Sequence, residues 1–381
     1  MSNKKISDIQ FARIAGFPYW DRVSPKQALL AKFVKRMSLG KILLLGCGNG
    51  ALAVFLSCQK PKNRLFLYSI DSLALKATKK TLQLHNITNA KIIPEVNLLP
   101  NYKETFDSVL LAIEFSRGRD FYRRMLLETY DVLKNNGQIY LAGANKSGIK
   151  TAIKDAGKLF NKIEILGYKA GNRITKGTKN PQRKRKQVWM EEKGIKPNSW
   201  CELSVNIANK NYSFYTLPGI FSYNKLDEGT RFLLENIRGF SNKKILDWGC
   251  GYGAIGIYLA KMGAKHVDMI DVNRFAVEAA KKNIIEGKIN NASVFSTTDN
   301  YFDKKSKYDL VVSNPPFHIG KKVNYQTVNR FFKEAKEGLN NNGKLVIVAN
   351  QFIPYEEWLK KYFSRTQVIS RNKKYKVVEA N

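Results

Sequence analysis

The sequence predicts two tandem, doubly wound, Rossmann-like α/β domains. Three observations carry this expectation: one glycine-bearing motif and its surrounding landmarks occur twice, short β-branched runs alternate with longer stretches of helical period, and the apolar content suffices for buried cores. At 381 residues the chain has room for two domains of about 150 residues each or a little more.

The duplication is read first because it fixes everything else. Lys41-Ile-Leu-Leu-Leu-Gly46-Cys-Gly48-Asn-Gly50 is echoed by Lys244-Ile-Leu-Asp247-Trp-Gly249-Cys-Gly251-Tyr-Gly253. Asp71 then corresponds to Asp271, and Phe106-Asp107 to Tyr308-Asp309. Leu133-Lys-Asn-Asn-Gly137-Gln-Ile-Tyr-Leu corresponds to Leu339-Asn-Asn-Asn-Gly343-Lys-Leu-Val-Ile. These landmarks keep one order, which implies tandem copies of one domain rather than a stack of short units.

Taken in order, the second copy supplies the clearest elements. Lys244 to Asp247, Val267 to Asp271, Leu310 to Ser313 and Lys344 to Ala349 read as strands, and Ala254 to Met262, Arg274 to Glu286 and Thr327 to Gly338 as helices. Strands alternating with helices imply a parallel sheet covered on both faces. The predicted division is a first domain over 1–165, a basic linker over 166–200 and a second domain over 201–381. Within the linker, Lys169 to Lys196 holds Arg173, Lys176, Lys179 and the run Arg183-Lys184-Arg185-Lys186 without an amphipathic period, and reads as an exposed loop. Glu202 to Ala208 and Tyr212 to Leu217 alternate about Asn209-Lys210-Asn211, which predicts a β-hairpin.

Composition narrows the function. Lys and Arg number 65 against 31 Asp and Glu, a net charge of +34, while 44% of residues are hydrophobic. That apolar content excludes a disordered polycation, and the charge points to a polyanionic partner, nucleic acid first. Four cysteines without a C-x-x-C pair and three scattered histidines support neither a disulfide framework nor a metal site. Met1 to Gln10 is polar, with no apolar secretion signal, and the apolar stretch Ile42 to Cys58 is broken by Gly46, Gly48, Asn49 and Gly50. A cytoplasmic chain with no membrane partner is therefore expected.

A strand running into Gly-x-Gly-x-Gly and then a helix lets a ligand approach the backbone, where a Cβ would collide with it. Asp271, at the end of the next strand, is placed to accept hydrogen bonds from a ribose diol. NAD and S-adenosylmethionine both meet this description. The segment Val311-Val-Ser-Asn314-Pro315-Pro316-Phe317-His318 separates them. It follows a strand at the sheet edge where open α/β folds place their sites. The Asn314 side-chain oxygen and the Pro315 carbonyl are suited to accept both hydrogens of a planar amino group, with Phe317 stacking on the ring that bears it. Such a site presents an exocyclic amine to a methyl sulfonium.

Asp-Trp-Gly-Cys-Gly-Tyr-Gly (247 to 253) followed by Asn-Pro-Pro-Phe-His (314 to 318) resembles the S-adenosylmethionine-dependent amino-methyltransferases. The second half, with Leu217-Pro-Gly-Ile-Phe-Ser222, Leu226-Asp227-Glu-Gly229-Thr, Val348-Ala-Asn350-Gln-Phe-Ile-Pro-Tyr355 and Lys373-Lys-Tyr-Lys-Val377, is similar to the ribosomal RNA guanine-N2 methyltransferases of the RsmC and RlmG type. The resemblance covers about residues 200 to 381 and implies two tandem doubly wound Rossmann-like methyltransferase domains. It also implies S-adenosyl-L-methionine as cofactor and ribosomal RNA or a ribosomal subunit as substrate. Carried over residue by residue, it assigns Asp247, Gly249, Gly251, Gly253 and Asp271 to the cofactor pocket, with Asp299 or Asn300 on the adenine edge. Asn314, Pro315, Pro316 and Phe317 hold the guanine, and Phe221 and Asp227 close the pocket.

The two copies differ where the chemistry lies. Asn314-Pro315-Pro316-Phe317 corresponds to Ala112-Ile113-Glu114-Phe115, and Asp247 to Leu44. The first copy is therefore expected to be a degenerate domain that serves structure and RNA binding, with Arg183, Lys184, Arg185 and Lys186 as further RNA contacts. The favoured substrate is small-subunit 16S rRNA and the chain is read as a monomer. The alternatives are a 23S rRNA guanine, a protein glutamine-N5, for which +34 has no use, and a non-catalytic assembly factor, for which an intact Asn-Pro-Pro-Phe has none.

Overall fold

The computed structural model describes residues 5–34, 40–99, 101–183, 187–297, 307–315, 318–319, 322–323 and 325–381. The chain divides into two compact units, Met1–Trp200 with Leu217–Gly219, and Cys201–Thr216 with Ile220–Asn381.

The first unit contains α1 (Pro25–Ala31), β1 (Lys41–Leu45), α2 (Ala51–Gln59), β2 (Arg64–Tyr68), α3 (Ser72–Leu84), β3 (Ala90–Ile92), β4 (Phe106–Leu111), α4 (Arg119–Val132), β5 (Leu133–Ala144), α5 (Ile149–Ala156), β6 (Phe160–Lys169) and β7 (Asn172–Lys179). Its sheet has seven strands in the order β3-β2-β1-β4-β5-β7-β6. The first five run parallel, and β7 and β6 are added antiparallel. Because both faces of the parallel part are covered, its central strand β1 is an almost unbroken apolar run, Lys-Ile-Leu-Leu-Leu, with all four apolar side chains fully buried.

The second unit repeats the plan. A hairpin of β8 (Cys201–Ile207) and β9 (Lys210–Thr216) precedes α6 (Glu228–Asn236), β10 (Lys244–Trp248), α7 (Ala254–Lys261), β11 (His266–Asp271), α8 (Arg274–Glu286), β12 (Ala292–Ser296), β13 (Tyr308–Ser313) and the two-residue strands β14 (His318–Ile319) and β15 (Lys322–Val323). It closes with α9 (Tyr325–Gly338), β16 (Leu339–Asn350), α10 (Tyr355–Leu359), β17 (Thr366–Arg371) and β18 (Tyr375–Ala380). Its seven-stranded sheet has the order β12-β11-β10-β13-β16-β18-β17, element for element that of the first unit. Tyr308, Val311, Val328, Phe331, Phe332, Leu345 and Ile347 form the core between this sheet and α9.

One sequence expectation is corrected. Lys169 to Lys179 is not loop, because β6 and β7 complete the first sheet through a tight turn at Ala170 and Gly171, both at positive φ. Basic residues conceal the alternation. Lys179 is buried, with its Nζ donating to the Leu133 carbonyl at 2.7 Å and to Glu104 at 3.2 Å. Arg173 Nε donates to Asn145 Oδ1 at 2.6 Å. Beyond β7, Trp189, Met190 and Ile195 are buried and Arg124 donates to the Gly194 carbonyl at 2.7 Å, so this stretch packs onto the first unit instead of linking two domains. The expected hairpin of β8 and β9 forms, but its turn is Ala208 and Asn209, both at positive φ as a two-residue connection between twisted strands requires, and Lys210 and Asn211 belong to β9.

Candidate active site

In a doubly wound sheet the two central strands carry their connections to opposite faces, which leaves a crevice at their carboxyl ends. In the second unit these strands are β10 and β13, paired so that Asp247 lies beside Val312. The Ser313 hydroxyl donates to the Trp248 carbonyl at 2.6 Å and ties the two ends together. Asp247 and Asn314, far apart in sequence, thus reach the same edge.

Asp247 interrupts a strand whose neighbours are apolar, and it is 0% exposed. Its Oδ2 accepts the backbone N–H of Gly256 at 2.9 Å. Its Oδ1 is buried with no hydrogen-bond partner among the described residues. Burial, together with the charge of Asp271, pushes its carboxyl up to about 7 despite the Gly256 bond. An unpaired buried polar atom costs about 1–3 kcal/mol, a cost that a donor placed against this oxygen would offset. Gly256 must be glycine for the contact to form, since a Cβ there would collide with Met269 Sδ and lie 3.1 Å from Asp247 Oδ2. A glycine inside a helix was the signal available in the sequence for this residue.

The turn from β10 into α7 is drawn over the end of β11. Gly249 and Cys250 donate to the Ile270 carbonyl at 2.9 and 3.0 Å. The Gly251 N–H donates to Asp271 Oδ2 at 2.9 Å, and Asp271 Oδ1 accepts the Asn273 N–H at 2.7 Å. Gly253 has φ 92° and caps α7, its Cβ position walled by Ile257, Ala280 and Met269. Gly251 differs. Its φ is 57° and, among the described residues, a Cβ there would meet only Ile220 Cγ2, at 3.9 Å. The site needs a second support that the sequence did not reveal: Asn283 of α8 donates to the carbonyls of Tyr252 at 2.8 Å and Tyr215 at 3.0 Å, and accepts the Tyr215 N–H at 2.6 Å.

Asn314 directly follows β13, and its Nδ2 donates to Asp227 Oδ2 and to Thr230 Oγ1, both at 2.8 Å. Asp227 is also the N-cap of α6, its Oδ2 accepting the Thr230 N–H at 2.9 Å. Pro315 is buried. Phe221 is 61% exposed and follows Ile220, the residue opposite Gly251. Asp299, Asn300, Pro316 and Phe317, and in the basic run Lys184, Arg185 and Lys186, lie outside the described residues. Arg183 ends a short 3-10 turn, Pro181–Arg183.

The same edge of the first unit is filled by its own side chains. Leu44 stands in place of Asp247 and Ala112 directly follows β4. Gln27 Nε2 donates to the carbonyls of Gly46 and Cys47, both at 3.1 Å, and a Cβ on Gly48 would come within 2.8 Å of it. Lys26, buried and with its ammonium pKa lowered chiefly by desolvation, donates to the Ile113 carbonyl at 3.0 Å and pairs with Glu114. Asp71 caps α3 through the Ala74 N–H at 3.1 Å. A half-open cavity remains beside them, lined in part by Phe17, Tyr19, Gln27 and Asp71.

Among the described residues, no group of three or more His, Cys, Asp and Glu is placed to hold a metal, and no helix is long and apolar enough to cross a membrane.

Comparison with known proteins agrees with the duplication. The methyltransferase small domain family matches the chain twice, over residues 9–176 and 211–379. The ribosomal RNA small subunit methyltransferase C of Psychromonas ingrahamii is 33% identical over 295 residues, which cover 74% of this chain and 79% of that protein. The protein of the same name from Haemophilus influenzae is 41% identical over 169 residues, 44% of this chain and 51% of its own length. A solved structure from T. thermophilus, a 16S rRNA N2 methyltransferase in complex with AdoMet and guanosine, superposes with a TM-score of 0.77 at 22% identity over 100% of both chains.

Proposed function

Because the chain belongs to the methyltransferase small domain family, with relatives named ribosomal RNA small subunit methyltransferase C, we propose that its second unit methylates the exocyclic N2 of a guanine in 16S ribosomal RNA. The observation that carries this reading is the meeting, at one sheet edge, of a buried unpartnered carboxylate oxygen on Asp247, an open glycine turn at Gly251 and the Asn314 amide.

These residues fit S-adenosylmethionine. Asp247 Oδ1 is the acceptor for its ammonium group, the bare backbone at Gly251 admits its chain, and the Asp271 carboxylate, at the end of β11, receives the ribose hydroxyls. When bound, the cofactor supplies the methyl carbon and keeps the electrons of the broken C–S bond, so that N2 gains a methyl group and sheds one proton to water. Asn314 Oδ1 and the Pro315 carbonyl accept the two amine hydrogens and hold the nitrogen lone pair toward the methyl carbon. No strong base is needed before transfer, because the proton is lost only after nitrogen has become cationic. Asp299 or Asn300 bounds the adenine, and Pro316 and Phe317 hold the guanine ring.

The first unit, with Gln27 and Lys26 in its crevice, does not take the cofactor in this reading and serves as an RNA-holding domain. Arg183, Lys184, Arg185 and Lys186 add phosphate contacts. The protein acts as a monomer, in the cytoplasm, on rRNA or on the small subunit; a protein glutamine substrate would leave its net charge of +34 without a role.

The test is transfer of a tritiated methyl group to 16S rRNA by the wild type and by Asn314→Ala, with nucleotide-resolution mapping of the methylguanine. Loss of transfer with RNA affinity nearly unchanged supports the reading. Substantial transfer by Asn314→Ala, or label on 23S rRNA or protein instead, overturns it.

A further inference from the structure

We infer that Asp227 is a positioning residue for methyl transfer: with Thr230 it locks the Asn314 amide so that only a carbonyl oxygen faces the substrate, which commits the site to an amino group. The inference rests on the reading of Asn314 as the acceptor of the target amine, and extends it to residues outside the motif.

The argument begins with what a carboxylate can do. An ionised Asp only accepts hydrogen bonds, so the Asn314 atom 2.8 Å from Asp227 Oδ2 must be the amide nitrogen. Its second hydrogen goes to Thr230 Oγ1, also at 2.8 Å. Both donors of the amide are thereby spent on the protein. The amide is planar, so Oδ1 points away from this pair and is left purely as an acceptor. Flipping the amide would lose the bond to Asp227 and set Oδ1 against the carboxylate oxygen, although the Thr230 hydroxyl can turn to donate.

Helix capping alone does not require this residue. The cap of α6 needs one oxygen for the Thr230 N–H, supplied at 2.9 Å, and serine serves that purpose about as well as aspartate. Aspartate adds reach to Asn314 and a negative charge behind it. Gly229 leaves room beside the carboxylate, since a Cβ there would lie 3.1 Å from its Oδ2 and 3.2 Å from Tyr375 Cε1. The charge polarises the amide, and the effect passes along the chain of hydrogen bonds to Oδ1. As the amine nitrogen forms its new bond, positive charge grows on its hydrogens, and a more negative Oδ1 stabilises that change more than it stabilises the resting amine.

The experiment uses the full chain and two probes, guanosine and inosine, which differ by the 2-amino group, with cofactor affinity and turnover on rRNA measured alongside. Asn314→Ala is expected to lose both turnover and the preference for guanosine. Asp227→Ser, which keeps the cap, is expected to leave the melting temperature nearly unchanged and cofactor affinity within about twofold. Its kcat should fall at least tenfold with little change in KM, and its preference for guanosine should shrink. Asp227→Asn keeps an oxygen there without the charge and should fall between wild type and Asp227→Ser. In the Asn314→Ala background, Asp227→Ser should lower the preference no further. Wild-type kcat and preference in Asp227→Ser, where Asn314→Ala has lost both, overturn the inference and leave the proposed function standing. Retention of both by Asn314→Ala overturns the proposed function instead. If Asp227→Ser fails to fold, Thr230→Val and Asp227→Asn take its place, and unchanged preference in both overturns the inference.

Discussion

Asp247 accepts the backbone N–H of Gly256 at 2.9 Å through one carboxylate oxygen and leaves the other buried without a partner among the described residues. In the first unit the same strand position is Leu44, fully buried in apolar surroundings. The two strands differ at this position and the next, Leu45 against Trp248, and only the second carries a carboxyl at its end.

Cofactor affinity should depend on pH through Asp247. Its carboxyl is pushed up to about 7, and an ammonium group at Oδ1 favours the ionised form, so binding releases a proton. Affinity should rise with pH up to about 7, by at most about tenfold per unit, and level off above it. Titration calorimetry in buffers of different ionisation heat reads both the slope and the released proton. Asp247→Asn should bind more weakly and with no pH dependence; a wild-type Kd that is flat from pH 5.5 to 8 would contradict this role.

The same carboxyl makes the cofactor-free protein less stable as pH rises. Its folded-state pKa lies above the ordinary value of 3.8, so its favourable contribution is complete below that value and is lost as pH rises through about 7. Asp247→Asn should therefore melt at a higher temperature than the wild type at pH 8 and gain little at pH 4. Scanning calorimetry at the two pH values checks this, and an equal shift at both would refute it.

Gly48 and Gly251 should respond oppositely to alanine. Both have positive φ, 62° and 57°, so the backbone cost of about 1–2 kcal/mol is shared. At Gly48 the new Cβ also meets Gln27 at 2.8 Å, whereas at Gly251 its nearest neighbour is 3.9 Å away. Gly48→Ala should lower the melting temperature further while cofactor affinity holds. Gly251→Ala should weaken cofactor binding at least tenfold with the smaller thermal penalty. Equal affinities in the two variants would remove the distinction between the turns.

RNA affinity should be steeply salt-dependent, as expected when Lys and Arg displace counterions from phosphates. Replacing Arg183, Lys184, Arg185 and Lys186 by alanine should weaken binding across RNA sequences and reduce the slope of log affinity against log salt by about 2–4. Filter binding between 50 and 200 mM salt gives that slope. An unchanged slope would leave the basic run as solvated surface.

Much of this was legible because the relevant signals are local. Glycines at 249, 251 and 253 behind a β-branched run, and Asn-Pro-Pro behind another, announce strand, turn and helix through backbone sterics alone, and their repetition announces the second sheet. Lys169 to Lys179 was not legible. Its alternation is carried by long basic side chains whose aliphatic stems pack while their ammonium groups find carbonyls, as Lys179 does at Leu133, and such a pattern reads as solvated loop until the partner strand is in place.

The sequence by itself determined the duplication, the alternation of strands and helices around each glycine turn, and the residue types at the carboxyl edge of the second sheet, because these follow from backbone preferences and short-range periodicity. Only the tertiary structure decided what surrounds those residues. Thr230, Asn283 and Gly256 reach the site from other elements. Gln27 fills the first glycine turn while the second stays open. Asn314 has its two amide hydrogens taken by Asp227 and Thr230. Burial and hydrogen-bond satisfaction depend on which chain segments meet in space, and no local pattern records that meeting.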